Sequence, residues 1–244
     1  MKDMWYYPPK IDTDIPFLLE NERVMFPPAE KSRGSIVAIG GNLSPGMLLS
    51  AYEQGIFPWY SAGEPILWHS PDPRFVIFPE NLHISTSMRK IFKKKQFDVH
   101  FDRDFAGVIK SCASIHRPRQ DGTWITDGMI AAYIKLHELG FAHSAESYVD
   151  GELTGGCYGV KIGHVFFGES MFAKVSNASK AAFLTLARFL FDQGVAFIDS
   201  QVHTAYIESL GGQHIKRADY LKLLRTTLAL SVSPREENRG IWAY

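Results

Sequence analysis

Proline placement constrains this chain more than any other feature. Most of its thirteen prolines fall before residue 77. Each removes a backbone donor and fixes φ, so that stretch cannot be filled by long helices or central strands. Phe57-Pro58-Trp59-Tyr60 and Trp68-His69-Ser70-Pro71-Asp72-Pro73-Arg74 are therefore expected as ordered loops. One helix is signalled among them, with Ser44 as N-cap, Pro45 at the first helical position, Met47, Leu48 and Tyr52 on one side, and Gly55 as stop.

From residue 77 regular elements take over. Ser85 or Thr86 can cap a short basic helix to about Lys94, Asp104 a helix through Val108, Ile109 and Cys112, and Asp127 a third through Tyr133 to Gly140. Alternating residues from His143 to Val149, the pair Asp150-Gly151 and a run through Leu153 predict a hairpin. A strand over His164 to Gly168, a long helix over Asn177 to Gln193, a buried strand over Val195 to Ile198 and two closing helices complete the order. The fold class is α+β: a small N-terminal domain, 1–76, and a second domain, 77–244, with helices on a mixed, mainly antiparallel sheet.

The chain is 244 residues long and 45% hydrophobic, enough for a packed core. Twenty-six basic residues balance 26 acidic ones, so a polyanionic partner would have to be met by a local patch. Cys112 and Cys157 form no metal or disulfide spacing. With no signal-peptide pattern and no long apolar run, a soluble, cytoplasmic, membrane-free chain is expected.

Several residues carry chemical potential. Asp199 ends an apolar strand and Gln201 follows two residues on, so a continued strand would turn both to one face, where carboxylate and amide could serve an attacking amine. The alternative is that Asp199 caps the next helix. Glu169, after Phe166-Phe167-Gly168, is either an exposed strand end or a receptor for a cationic side chain. Gly155-Gly156-Cys157-Tyr158-Gly159 is no phosphate loop and suggests a bulge or a closely approached backbone. Arg89, Lys90, Lys93 and Lys94 stack like charges at helical spacing, which favours an anionic partner over a plain solvated face only evenly. Trp59, Trp68 and Trp124 are core anchors or stacking platforms for a base. His203 is a surface residue or a general base, and no nucleophile elbow surrounds Ser170.

These blocks, together with Gly55-Ile56-Phe57-Pro58-Trp59-Tyr60, Thr123-Trp124-Ile125-Thr126, Phe167-Gly168-Glu169-Ser170-Met171-Phe172 and Ile198-Asp199-Ser200-Gln201, resemble the leucyl/phenylalanyl-tRNA–protein transferase family in order and spacing. The resemblance implies a C-terminal acetyltransferase-like (GNAT) domain and an enzyme without metal or soluble cofactor. It implies transfer of Leu or Phe from aminoacyl-tRNA to proteins beginning with Arg or Lys, marking them for degradation; because apolar fit discriminates weakly, Met is expected as a donor too. By that likeness Asp199 and Gln201 serve the acceptor amine, and Glu169 holds the acceptor's basic end. Trp59 and Trp124 border the tRNA 3′ adenosine. Cys157, Phe166, Phe183, Leu186, Leu190 and Ile198 wall the Leu/Phe pocket, while Arg89, Lys90, Lys93 and Lys94 grip the acceptor stem. Cys157 and His69 depart from the family's usual methionine and tryptophan. A monomer is expected. The alternatives are a CoA-dependent N-acetyltransferase, whose pyrophosphate loop is missing from the sequence, and a non-enzymatic RNA-binding module.

Overall fold

The computed structural model describes residues 10–11, 16–115 and 124–230. Thr123, which opens the Thr123–Thr126 block, lies outside that range.

A four-stranded sheet opens the chain: β1 (Lys10–Ile11), β2 (Ile36–Gly40), β3 (Phe57–Pro58) and β4 (Leu67–His69), in the order β1-β2-β4-β3. Helix α1 (Pro45–Glu53) lies between β2 and β3. Its limits follow from local chemistry. Pro45 occupies the first turn, where its missing N–H costs nothing. Gly55 ends it at φ 73°, and a Cβ there would stand 2.5 Å from Leu221 Cδ2.

The two proline-rich blocks are not wholly loop. Trp68 lies in β4, between β2 and β3, fully buried, with its indole Nε1 donating to Gly40 O at 2.8 Å. Arg74 opens β5 (Arg74–Ile77). Pro71 and Pro73 fall in the gap between β4 and β5, and Pro58 sits on an edge strand, so none removes a needed ladder donor.

The larger sheet has seven strands in the order β11-β5-β10-β9-β8-β7-β6. Its members after β5 are β6 (Asp98–Phe101), β7 (Ala142–Val149), β8 (Glu152–Ile162), β9 (Val165–Ala173), β10 (Phe197–Gln201) and β11 (Gln213–Ile215). All neighbours are antiparallel except β9 and β10. That parallel pair needs a crossover, which α5 (Ala178–Asp192) supplies. β5 straddles the 76/77 position read from the sequence as a boundary.

Helices cover both faces of this sheet. On one, α5 and α2 (Thr86–Lys93) bury Met88, Ala182, Phe183, Leu186 and Leu190 against Phe166 and Ile198. On the other, α1, α3 (Phe105–Ser114), α4 (Asp127–Glu138) and α7 (Arg217–Ala229) pack on Phe167 and Phe197. Phe166 and Phe167 thus point to opposite cores, as strand alternation requires. The short α6 (Ala205–Glu208) follows β10 and is capped by Thr204, which accepts from Ile207 N, not by Asp199.

Candidate active site

A cavity of about 510 Å³ opens where β8, β9 and β10 meet the start of α5 and the β3 end of the small sheet. Its wall is largely apolar: Phe57, Cys157, Phe166, Met171, Phe183 and Ile198 contribute, with Trp59 and Trp124 beside them. Glu169 and Gln201 also line it. Trp59 is 41% exposed, and its carbonyl is held by His69 Nε2 at 3.0 Å. Burial pushes the His69 pKa below its ordinary value, which favours the neutral ring.

Glu169 is 8% exposed on β9 and carries no ion pair among the described residues. Tyr52 Oη donates to Oε1 at 2.7 Å, Tyr133 Oη to Oε2 at 3.0 Å, and Gln201 Nε2 to Oε1 at 2.7 Å. The Tyr52 and Tyr133 hydroxyls also touch each other. Burial pushes the Glu169 pKa up to about 7, against the lowering effect of these three donors. Because a carboxylate only accepts, the Gln201 amide must turn Nε2 toward it, leaving Oε1 for another partner.

Asp199 is arranged differently. It is fully buried and absent from the cavity wall. Arg74 grips it with two bonds, Nε to Oδ1 at 2.9 Å and Nη2 to Oδ2 at 2.6 Å. Tyr220 Oη adds a bond to Oδ2 at 2.6 Å, and Gln201 N one to Oδ1 at 2.9 Å. Burial works against the Arg74 charge, but Asp199, Tyr220 and Glu169 together outweigh it and raise the Arg74 pKa. Asp199 and Gln201 differ in their access to the cavity. The register with β5 slips between them, Gln201 takes φ 65°, and Gln201 lines the cavity while Asp199 does not. Asp199 bonds the Gln201 backbone from behind the wall.

One more expectation changes. Leu186 and Leu190 do not line the cavity. They sit one and two turns beyond Phe183 on α5, fully buried in the core behind it. The glycine block does carry an irregularity, with the register shifting between Tyr158 and Gly159, and its backbone is closely approached by the protein's own chain: a Cβ on Gly155 would stand 2.5 Å from Ala178 Cβ. His203 stacks on His214 and bonds Glu208 at 3.1 Å, away from the cavity lining. The basic helix forms as predicted: Ser85 accepts from Met88 N, Met88 faces the core, and Arg89, Lys90, Lys93 and Lys94 are exposed.

Sequence reasoning misses Tyr133, Arg74 and Tyr220 as site residues, and places Tyr52 on a core-facing side only. The available signal is a tyrosine at an apolar helical position, whose hydroxyl must find a partner when buried.

Residues 76–225 match the leucyl/phenylalanyl-tRNA protein transferase model, and residues 41–72 match that of its N-terminal domain. The chain is an aminoacyltransferase. Proteins named leucyl/phenylalanyl-tRNA–protein transferase are close in sequence. That of Syntrophobacter fumaroxidans is 50% identical over 211 residues, 86% of this chain and 90% of that one. Those of Syntrophus aciditrophicus and Myxococcus xanthus are 50% identical over 221 residues (90% of each chain) and 49% identical over 228 residues (93% and 95%). The chain belongs to the leucyl/phenylalanyl-tRNA protein transferase family. These relatives do not favour a CoA-dependent N-acetyltransferase. A solved GCN5-related N-acetyltransferase-like protein from Streptococcus suis overlaps the chain distantly, with 15% identity, a TM-score of 0.35, and coverage of 59% and 60%. Among the described residues no helix is long and apolar enough to cross a membrane.

Proposed function

We propose that this enzyme moves Leu or Phe, and also Met, from aminoacyl-tRNA to the N-terminal amine of proteins beginning with Arg or Lys, marking them for degradation. The observation that carries the reading is the meeting of Glu169 and Gln201 at the wall of an apolar cavity bordered by Trp59 and Trp124. An apolar slot suits an aliphatic or aromatic side chain, two tryptophans suit an adenine, and a buried acid attracts a cationic acceptor.

The donor ester is already activated, so direct aminolysis needs no covalent enzyme intermediate. Alignment of amine and carbonyl is the main task, and orientation can contribute about 7 to 11 kcal/mol. Gln201 Oε1 receives an N–H of the acceptor, Glu169 draws its positive end, and Asp199 with Arg74 fixes the Gln201 backbone. The exposed face of α2 grips the tRNA acceptor stem. Apolar fit discriminates by only about 1 to 3 kcal/mol per methylene, so methionine passes and valine is disfavoured.

The test is incubation with labelled leucyl-, methionyl- or valyl-tRNA and an Arg-initiated peptide. Leucine and methionine should reach the peptide and valine should lag. No transfer from leucyl-tRNA, or equal rates for valine and leucine, would defeat the reading.

A further inference from the structure

Three side chains close a ring behind the cavity wall. Tyr52 reaches Glu169 Oε1 at 2.7 Å, Tyr133 reaches Oε2 at 3.0 Å, and the two phenols touch. Three contacts call for three hydrogens, and the phenols supply two. With Glu169 ionised, one contact has none. With Glu169 protonated, each group donates once and accepts once around the ring. The arrangement is complete only after one more proton arrives.

The surroundings allow that proton to come from the cavity. Glu169 is the acidic side chain among those lining it. Oε1 already accepts from Tyr52 and Gln201, while Oε2 accepts from Tyr133 alone among the described residues. Facing the ring are Tyr158 of β8, edge-on to Tyr133, and the Asp199–Arg74 pair of β10 and β5. Within that pair the charges largely offset each other, and the Asp199 charge still pushes Glu169 toward its protonated form. Asp199 cannot take the part: Arg74, Tyr220 and Gln201 N occupy both its oxygens.

We propose that Glu169 is the catalytic proton acceptor for the attacking amine, with Tyr52 and Tyr133 as positioning residues that hold its carboxylate in place and temper the upward push of burial. The inference rests on the transfer reading above. The neutral amine nitrogen attacks the ester carbonyl carbon and a C–N bond forms. One N–H proton passes to Glu169 Oε2. The bond from the carbonyl carbon to the ribose oxygen then breaks, that oxygen takes the proton, and the carboxylate is restored. Nothing is oxidised or reduced. Burial holds Glu169 at about 7, close to the value an acceptor working near neutral pH requires.

Single-turnover transfer from leucyl-tRNA is measured from about pH 5.5 to about pH 8.5, with an Arg-initiated peptide and with methoxyamine, a weakly basic nucleophile that stays largely neutral over that range. With methoxyamine the wild-type rate should rise with pH through a midpoint near that of Glu169. Glu169→Gln should lose about 100- to 10,000-fold in rate, lose this midpoint, and bind leucyl-tRNA as before. Acetate should restore part of the rate to Glu169→Ala. Tyr52→Phe, which removes a donor to the carboxylate, should move the midpoint upward. A Glu169→Gln enzyme within tenfold of wild type, or an unmoved midpoint in Tyr52→Phe, overturns the proposal. Should Glu169→Gln not fold, the Tyr52→Phe midpoint decides. Absence of transfer by the wild type would strike the underlying reading instead.

Discussion

Two carboxylates stand on neighbouring strands of one sheet, both out of water, and the protein treats them in opposite ways. Asp199 has a full complement: two bonds from a guanidinium, one from a phenol and one from a backbone amide. Glu169 has donors but, among the described residues, no cation, and it borders the cavity. Burial by itself therefore says little about role. A matched buried charge holds a shape, whereas an unmatched one at a cavity wall stays ready to change its state.

The contrast predicts its largest effect at the matched site. Asp199→Asn leaves the Arg74 guanidinium buried without its counter-charge and should cost about 3–5 kcal/mol in urea unfolding. A loss below about 1 kcal/mol, the scale of an exposed pair, would erase the distinction. A similar split runs along α5. Leu190→Ala, behind the cavity, should cost about 2–5 kcal/mol while the ratio of leucine to valine transfer stays unchanged. A changed ratio would return Leu190 to the pocket.

At Glu169 the sign reverses. Its pKa rises from 4.5 to about 7 on folding, so the folded chain keeps a proton that the unfolded chain releases. Its contribution to stability therefore falls as pH rises from about 4.5 to about 7, then levels, by about 3 kcal/mol in all. Glu169→Gln lacks this term. The difference in unfolding free energy between variant and wild type should shift in the variant's favour across that window, and a flat difference would place Glu169 in an ordinary aqueous setting. Smallest of all is the expected stability change on replacing Arg89, Lys90, Lys93 and Lys94 with alanine, within about 0.5 kcal/mol. The same variant should flatten the salt dependence of tRNA binding by about 0.9 for each phosphate that is no longer neutralised.

Elements with local signals were legible in the sequence. Ser85, Asp104, Pro45, Gly55 and the Asp150-Gly151 turn mark their own boundaries, and each does so in the structure. The short strands β4, β5, β6 and β11 were not, because three or four residues hold a strand only through partners distant in the chain. The apolar cavity wall at Cys157, Phe166, Phe183 and Ile198 was legible through the family resemblance, not through strand alternation. The difference in cavity access between Asp199 and Gln201 was not legible, since the register slips between them. The tyrosines escaped because helical spacing reports which side is inward, not which inward residue carries a hydroxyl in need of a partner.

Tyr52 belongs to α1, in the small leading part, yet its hydroxyl rests on a carboxylate 117 positions further along. Half of a proton's berth is thus supplied by one segment and half by another. Trading the front segment for that of a distant cousin would amount to exchanging part of the acid–base apparatus, and any such hybrid should be judged first by its pH profile.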